Sequence, residues 1–305
     1  MTARTLEPFD PEVVAPWRLG DGPRGALLIH GFASTPPELR RLGEILAREG
    51  FRCHAPALPG HGTTPHELER TRWQDWAAHV QVAFDELATE CSDVVVAGQS
   101  MGGTLALHLA AHDHRVRAVA TLAAPIWLSG PLPALLPILS HVVRWHRAGD
   151  DVDLWNPEAV EELHSYGMRP TRSINELRRL CAVARNELAE VRAPVFILHG
   201  ERDRSIDPRC AKEIAQRLVG SEAVQLRMLP RSGHGISVDV DRDSVNADIL
   251  RWFARFAPAE TAVKPPRGGR RSLGAQPESR VESRSRAAIS GSITGFAGGP
   301  SSRSR

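Results

Sequence analysis

The run Gly98-Gln99-Ser100-Met101-Gly102-Gly103 constrains the fold more than any other stretch, because it sets a serine on a sharp turn between a strand and a helix. Val94, Val95 and Val96 precede it as a buried parallel strand, and Leu105 and Leu109 follow it on one side of a helix. The flanking glycines have a steric purpose. Without β-carbons, strand and helix approach closely around a residue held in a strained conformation. A serine so placed is a candidate nucleophile, which needs a base to take its proton and donors to hold the oxyanion formed on attack.

The same strand-then-helix pattern repeats along the chain. Ala26 to Ile29 reads as a short strand. After it Thr35 and Glu38 have capping-box spacing, Pro36 suits a first helical position, and Leu39, Leu42, Ile45 and Leu46 form an apolar face. Phe51 to Ala55 reads as the next strand, followed by a helix with Trp73, Trp76, Val80, Phe84 and Leu87 inward. Later strands are expected at Val116 to Leu122, Val195 to Leu198 and Val224 to Leu229. Helices are expected after Asp207-Pro208 and around Val245 to Phe256. This alternation implies the α/β class, with a mostly parallel sheet covered by helices on both faces and reactive groups beyond the carboxyl ends of the strands.

Residues 125–192 interrupt the alternation and read as a helical cap inserted into a core made of 1–124 and 193–257. Helical patterns fall near Pro157 to Tyr166 and Ser173 to Val191. Leu132, Leu135, Leu136, Ile138 and Leu139 either line an apolar pocket or pack the cap on the core. From residue 258 the composition shifts to Ser, Gly, Pro and Arg, with nine basic residues against three acidic ones. So few large apolar side chains cannot offset the entropy of ordering, and 258–305 is expected to be a disordered basic tail.

The formal net charge of +2 favours no class of partner. The tail arginines are scattered without interleaved aromatics, so no nucleic-acid partner is expected. The longest apolar run, Ala118 to Leu128, is too short to span a bilayer, and no secretory signal is evident. A cytoplasmic protein without stable membrane insertion is the expectation; the oligomeric state is open. Cys53, Cys91, Cys181 and Cys210 have no ligand-like spacing, so reduced thiols and no metal are expected.

His234, in the loop Ser232-Gly233-His234-Gly235 after a late strand, is the candidate base. His199 follows a strand too early for the order serine, acid, histidine. Among Glu201, Asp203 and Asp207 the acid is assigned to Asp203, because Asp207 has a local use as a helix cap before Pro208. The oxyanion donors are expected to be the backbone N–H groups of Met101 and Phe32. Phe32 and Trp127 are the expected substrate-binding side chains. His30 is read as a brace for the loop that follows it, and His61 as a turn residue at the rim.

Taken together, Leu28-Ile29-His30-Gly31-Phe32, Pro59-Gly60-His61-Gly62, Gly98-Gln99-Ser100-Met101-Gly102-Gly103, His199-Gly200-Glu201-Arg202-Asp203 and Ser232-Gly233-His234 resemble the α/β-hydrolase superfamily. More closely, over roughly residues 20 to 257, the chain resembles bacterial carboxylesterases and monoacylglycerol lipases with a small cap. The resemblance implies an α/β-hydrolase fold and a triad of Ser100, Asp203 and His234, with Phe32 and Met101 as oxyanion donors. It also implies hydrolysis of short to medium acyl esters or monoacylglycerols through an acyl-serine intermediate without a cofactor; the alternatives are thioester hydrolysis or acyl transfer with the same triad, or a non-catalytic ligand-binding homologue. The basic tail has no counterpart in that pattern.

Overall fold

Strands that are apolar on both faces can be buried only between two layers of helices, and the sequence of elements supplies them. The computed structural model describes residues 8–130, 132–147, 153–156, 159 and 162–259. The first elements are α1 (Pro11–Val14), β1 (Trp17–Leu19), β2 (Arg24–Ile29), α2 (Arg40–Arg48), β3 (Phe51–Ala55), α3 (Pro65–Arg70) and α4 (Trp73–Glu90). The serine turn joins β4 (Asp93–Gln99) to α5 (Met101–His112), and β5 (Val116–Leu122) follows. Then come α6 (Leu132–Val142), β6 (Trp145–Arg147), β7 (Met168–Pro170) and α7 (Thr171–Glu187). The chain returns to the sheet with β8 (Val195–Gly200), α8 (Arg209–Arg217), β9 (Val224–Leu229) and α9 (Arg242–Phe256).

Seven strands form one sheet in the order β1-β3-β2-β4-β5-β8-β9. β1 runs antiparallel to β3, and every other pairing is parallel. β6 and β7 form a separate antiparallel ribbon. Alternate residues feed the two layers: Leu27, Ile29, Val96, Val119 and Ile197 pack with Trp76, Phe84 and Leu105 on one face. Leu28, Val95, Ala97, Ala120 and Phe196 pack with Leu46, Ile249 and Phe253 on the other. Because β4, β8 and β9 are parallel, their carboxyl ends open on one edge, and the loops bearing Ser100, Asp203 and His234 start there.

Several local expectations are corrected. Thr35 and Glu38 form no capping box. Residues Pro36–Leu39 make a 3-10 turn, the Thr35 side chain makes no cap hydrogen bond, and α2 starts only at Arg40. Glu38 instead turns inward to the loop after β2, where two buried donors compete better for its carboxylate. β1 is too short, and α3 too brief, to leave a periodic signal. α8 begins at Arg209, with the Asp207 carboxylate accepting the Arg209 N–H at 2.9 Å.

Of the five apolar residues expected at a pocket or a packing face, Leu136 is buried whereas Leu135 and Ile138 are 52% and 71% exposed. The Leu132 side chain lies outside the described residues, as do parts of the helical pattern expected at 157–166. The chain divides into units Met1–Thr261 and Ala262–Arg305. The second unit, and with it nearly all of the tail expected at 258–305, lies outside the described residues.

Candidate active site

Ser100 occupies φ 52°, ψ −118°, a conformation that an L-residue keeps only when its surroundings over-determine it. They do so here. The Ser100 N–H donates to the Leu122 carbonyl on β5 at 2.7 Å. The Thr104 hydroxyl, one turn into α5, donates to the Pro125 carbonyl at 2.7 Å. A β-carbon at Gly98 would collide with the Gly102 backbone, and one at Gly102 with the Ile29 carbonyl. Both positions therefore need glycine for close approach rather than for an unusual φ.

The base reaches this serine from the loop after β9. The Ser100 hydroxyl lies 3.0 Å from His234 Nε2, and His234 Nδ1 donates to Asp203 Oδ2 at 2.8 Å. Asp203 Oδ1 accepts the N–H groups of Ser205 and Ile206 at 2.9 and 2.7 Å, which fixes the carboxylate plane. The structure thus brings Ser100, His234 and Asp203 together. Asp207 pairs with Arg209, and Glu201 is exposed. Burial opposes charge on both members of the pair. It is outweighed by their mutual attraction and hydrogen bond, so His234 lies above its ordinary value and Asp203 well below the usual carboxylate range. His199 Nε2 also lies 3.0 Å from Asp203 Oδ2, but too obliquely for a hydrogen bond, and it adds to the pull on that carboxylate.

Facing Ser100 is the loop after β2, where a β-carbon on Gly31 would stand 3.5 Å from the Ser100 β-carbon. Among the described residues no acceptor takes the backbone N–H of Phe32 or of Met101. His30 braces this loop, as expected, and His61 stays within its own turn. Buried His30 accepts the Leu58 N–H on Nε2 at 3.0 Å and donates from Nδ1 to the Gly31 carbonyl at 2.9 Å. His61 donates to the Pro59 carbonyl and packs edge-on against Phe32 and Trp76. Burial pushes His30 down to about 4, so it stays neutral at pH 7.

Glu38 is a further site residue that sequence reasoning missed. Its buried carboxylate accepts the Gly31 N–H and, at 2.6 Å, the Ser34 hydroxyl. Burial pushes its acid up to about 7, against the opposing pull of those two donors and of His234. The spacing that looked like a capping box was its only signal.

A cavity of about 390 Å³ opens over Ser100 and His234. Its apolar lining includes Phe32, Leu128, Leu136, Leu177 and Ile206, and its polar lining includes His146, Asp153, Ser165 and Arg169. Trp127 is corrected: it does not line this cavity. Its neighbour Leu128 does, while Trp127 borders an adjoining groove that shares Leu128 and Pro133 with the cavity, the Arg185 guanidinium lying over its ring. A broader surface depression of about 680 Å³ over Arg40, Arg41 and Glu162 reaches neither Ser100 nor His234.

Two aspartates tie the segment 153–156 to both reactive loops, and nothing in their sequence context indicates this. Asp153 Oδ2 accepts the N–H groups of Arg204 and Ser205 at 2.6 and 3.0 Å, and its carbonyl accepts the His234 N–H at 3.0 Å. In return, fully buried Asp239 accepts the N–H groups of Trp155 and Asn156 on Oδ1, both at 2.8 Å, and that of Gly233 on Oδ2 at 2.7 Å. Gln99 donates to the His234 carbonyl at 2.8 Å, closing the set. Among the described residues, the group of His, Cys, Asp and Glu with ligand atoms close enough to share an ion is His108, His112 and Glu187, not the site around Ser100. No helix there is long and apolar enough to cross a membrane.

Residues 22–241 match the family model described as serine aminopeptidase, S33. A thermostable monoacylglycerol lipase of Bacillus sp. (strain H-257) is 34% identical over 244 residues, covering 79% of this chain and 95% of that protein. A carboxylesterase of Bacillus subtilis (strain 168) is 28% identical over 243 residues, 79% of this chain and 96% of its own length. Among solved structures, one from work on the metagenome-derived lipolytic enzymes LipS and LipT superposes with a TM-score of 0.75 at 27% identity, over 79% of this chain and 98% of that one.

Proposed function

The chain belongs to the serine aminopeptidase S33 family of α/β hydrolases, and from that premise we propose that it hydrolyses short to medium acyl esters or monoacylglycerols through an acyl-serine intermediate. The observation that carries this reading is the convergence of Ser100, His234 and Asp203 at 3.0 and 2.8 Å beneath a cavity lined by both apolar and polar side chains. The family's name would equally admit an amide substrate. The monoacylglycerol lipase and carboxylesterase among its relatives favour an ester.

In this reading His234 Nε2 takes the Ser100 proton as the oxygen attacks the ester carbonyl, and Asp203 stabilises the imidazolium. The N–H groups of Phe32 and Met101 hold the oxyanion; each such donor is worth roughly 3 kcal/mol of transition-state stabilisation. His234 then gives its proton to the leaving alkoxide, and afterwards activates the water that frees the acid. The acyl chain lies along Leu128, Leu136 and Leu177, with the alcohol toward His146 and Ser165. Residues 125–192 act as a cap over a core of 1–124 and 193–257.

Ser100→Ala is expected to abolish turnover of p-nitrophenyl esters and monoacylglycerols and to remove labelling by a fluorophosphonate probe, with an unchanged circular-dichroism spectrum. A wild-type enzyme that cleaves aminoacyl anilides but no ester overturns the substrate reading. Retained turnover in Ser100→Ala overturns the mechanism.

A further inference from the structure

α5 carries two histidines, one helical turn apart, away from Ser100. His108 and His112 share one side of its last turns, where they meet Glu187, the last residue of α7. His108 Nδ1 donates to Glu187 Oε2 at 2.7 Å, and His112 Nε2 donates to Oε1 at 3.0 Å. One ligand atom from each of the three lies within 4.8 Å of the others. Both hydrogen bonds that Glu187 makes among the described residues go to these imidazoles.

We propose that His108, His112 and Glu187 bind a divalent transition-metal ion of the zinc class, clamping the ends of α5 and α7 together. Two imidazole nitrogens and one carboxylate oxygen are a donor set that suits zinc, with a fourth position left for water. At metal–ligand distances of about 2.0 to 2.2 Å, tetrahedral neighbours stand roughly 3.3 Å apart. The His108 contact would lengthen by about 0.6 Å and the His112 contact by about 0.3 Å, while the ligand atoms, now within 4.8 Å of one another, would close to that spacing. Each neutral imidazole can hold its one proton on the nitrogen facing away from Glu187, which frees a lone pair for the ion.

Two further observations point to a cation here. The cluster includes His112, the last residue of α5, whose carboxyl end presents the negative pole of its helix dipole. The side chains of His108 and Glu187 are 17% and 21% exposed, and Trp73 stands edge-on to the His108 ring at 5.5 Å, so two ligands are held in place. His112, at 57%, leaves the site open to solvent for the ion to enter. Eight to twelve residues of helix put the two histidines about 12 to 18 Å along the axis from Ser100, so the ion would act on stability rather than on the chemistry there.

The test uses the full chain after treatment with EDTA. Zinc is titrated by calorimetry, and cobalt by visible absorption, into the wild type, His112→Ala and Glu187→Gln; His112 is exposed at a helix end, so its variant should fold. One ion per chain, a cobalt spectrum with intense bands of low coordination number, and a zinc-dependent rise in the melting midpoint are expected. Each substitution should weaken binding by at least ~10-fold, the lower end of what losing even a supporting partner costs at a metal site. A cobalt spectrum unchanged from the aqueous ion overturns the proposal. So does wild-type affinity in both variants, which would place the ion on other histidines.

Discussion

Asp239 is the residue whose removal most directly tests whether the segment 153–156 positions the base. Its carboxylate accepts four N–H groups: Trp155, Asn156 and Val240 on Oδ1, and Gly233 on Oδ2. A hydrogen bond to a charged acceptor is worth about 1.5 to 3 kcal/mol, but the losses are unequal. Trp155 is 45% exposed and its N–H can turn to water, whereas Gly233 is buried next to His234 and its N–H would be orphaned. An orphaned buried donor costs about 1 to 3 kcal/mol.

Asp239→Asn can keep the three acceptances on its oxygen but must set its amide against the Gly233 N–H, so it isolates that one contact. Asp239→Ala loses all four. We therefore expect Asp239→Asn to cost roughly 1 to 3 kcal/mol in urea unfolding, and Asp239→Ala roughly 3 kcal/mol or more. Turnover should fall as well, because a shift of about 1 Å in a positioned group can cost ~10²-fold. The assay pairs urea midpoints with kcat on a p-nitrophenyl ester. If Asp239→Ala matches wild type in both, or if Asp239→Asn is the worse of the two, the positioning argument is wrong.

The pH dependence has a definite sign. His234 must be neutral to accept the Ser100 proton, and its pKa is raised, so kcat/KM should climb with pH through a midpoint above the ordinary 6.5. Asp203→Asn should move that limb to lower pH while cutting the plateau by about 10⁴-fold, as read from a pH–rate profile. Stability runs the other way on the basic side. The part due to the raised His234 is present below its unfolded value and is lost as pH rises through the folded one. The part due to the depressed Asp203 is present above its ordinary 3.8 and is lost as pH falls, and urea midpoints across pH report both. Trp127→Ala should leave KM for small esters at the wild-type value. Its stability cost should stay below the ~3–5 kcal/mol of a fully buried tryptophan, since Trp127 is only partly buried; a large rise in KM would return Trp127 to the substrate cavity.

The strand and helix order, the serine turn and the loops carrying the acid and the base could be read from residues because each rests on local physics. Alternating burial, helix periodicity and the glycines at 98 and 102 act over a few neighbours. Glu38 shows the limit of such reading. Its spacing from Thr35 mimics a cap, yet folding offers it two buried donors on the loop beside Ser100, and a buried carboxylate goes where its charge is best satisfied. Asp153 and Asp239 have no local signature at all. The contacts by which they join segment 153–156 to the reactive loops span 51 and 84 residues, so that joining exists only once the chain has closed. Trp127 and Leu128 differ by one position, yet the path of the chain after β5 brings Leu128 into the cavity lining and leaves Trp127 out of it. Patterning therefore settles which elements form and in what order, whereas long-range contacts settle which side chains face the reacting hydroxyl, because a hydrogen bond or a cavity wall needs groups that sequence distance does not bring together.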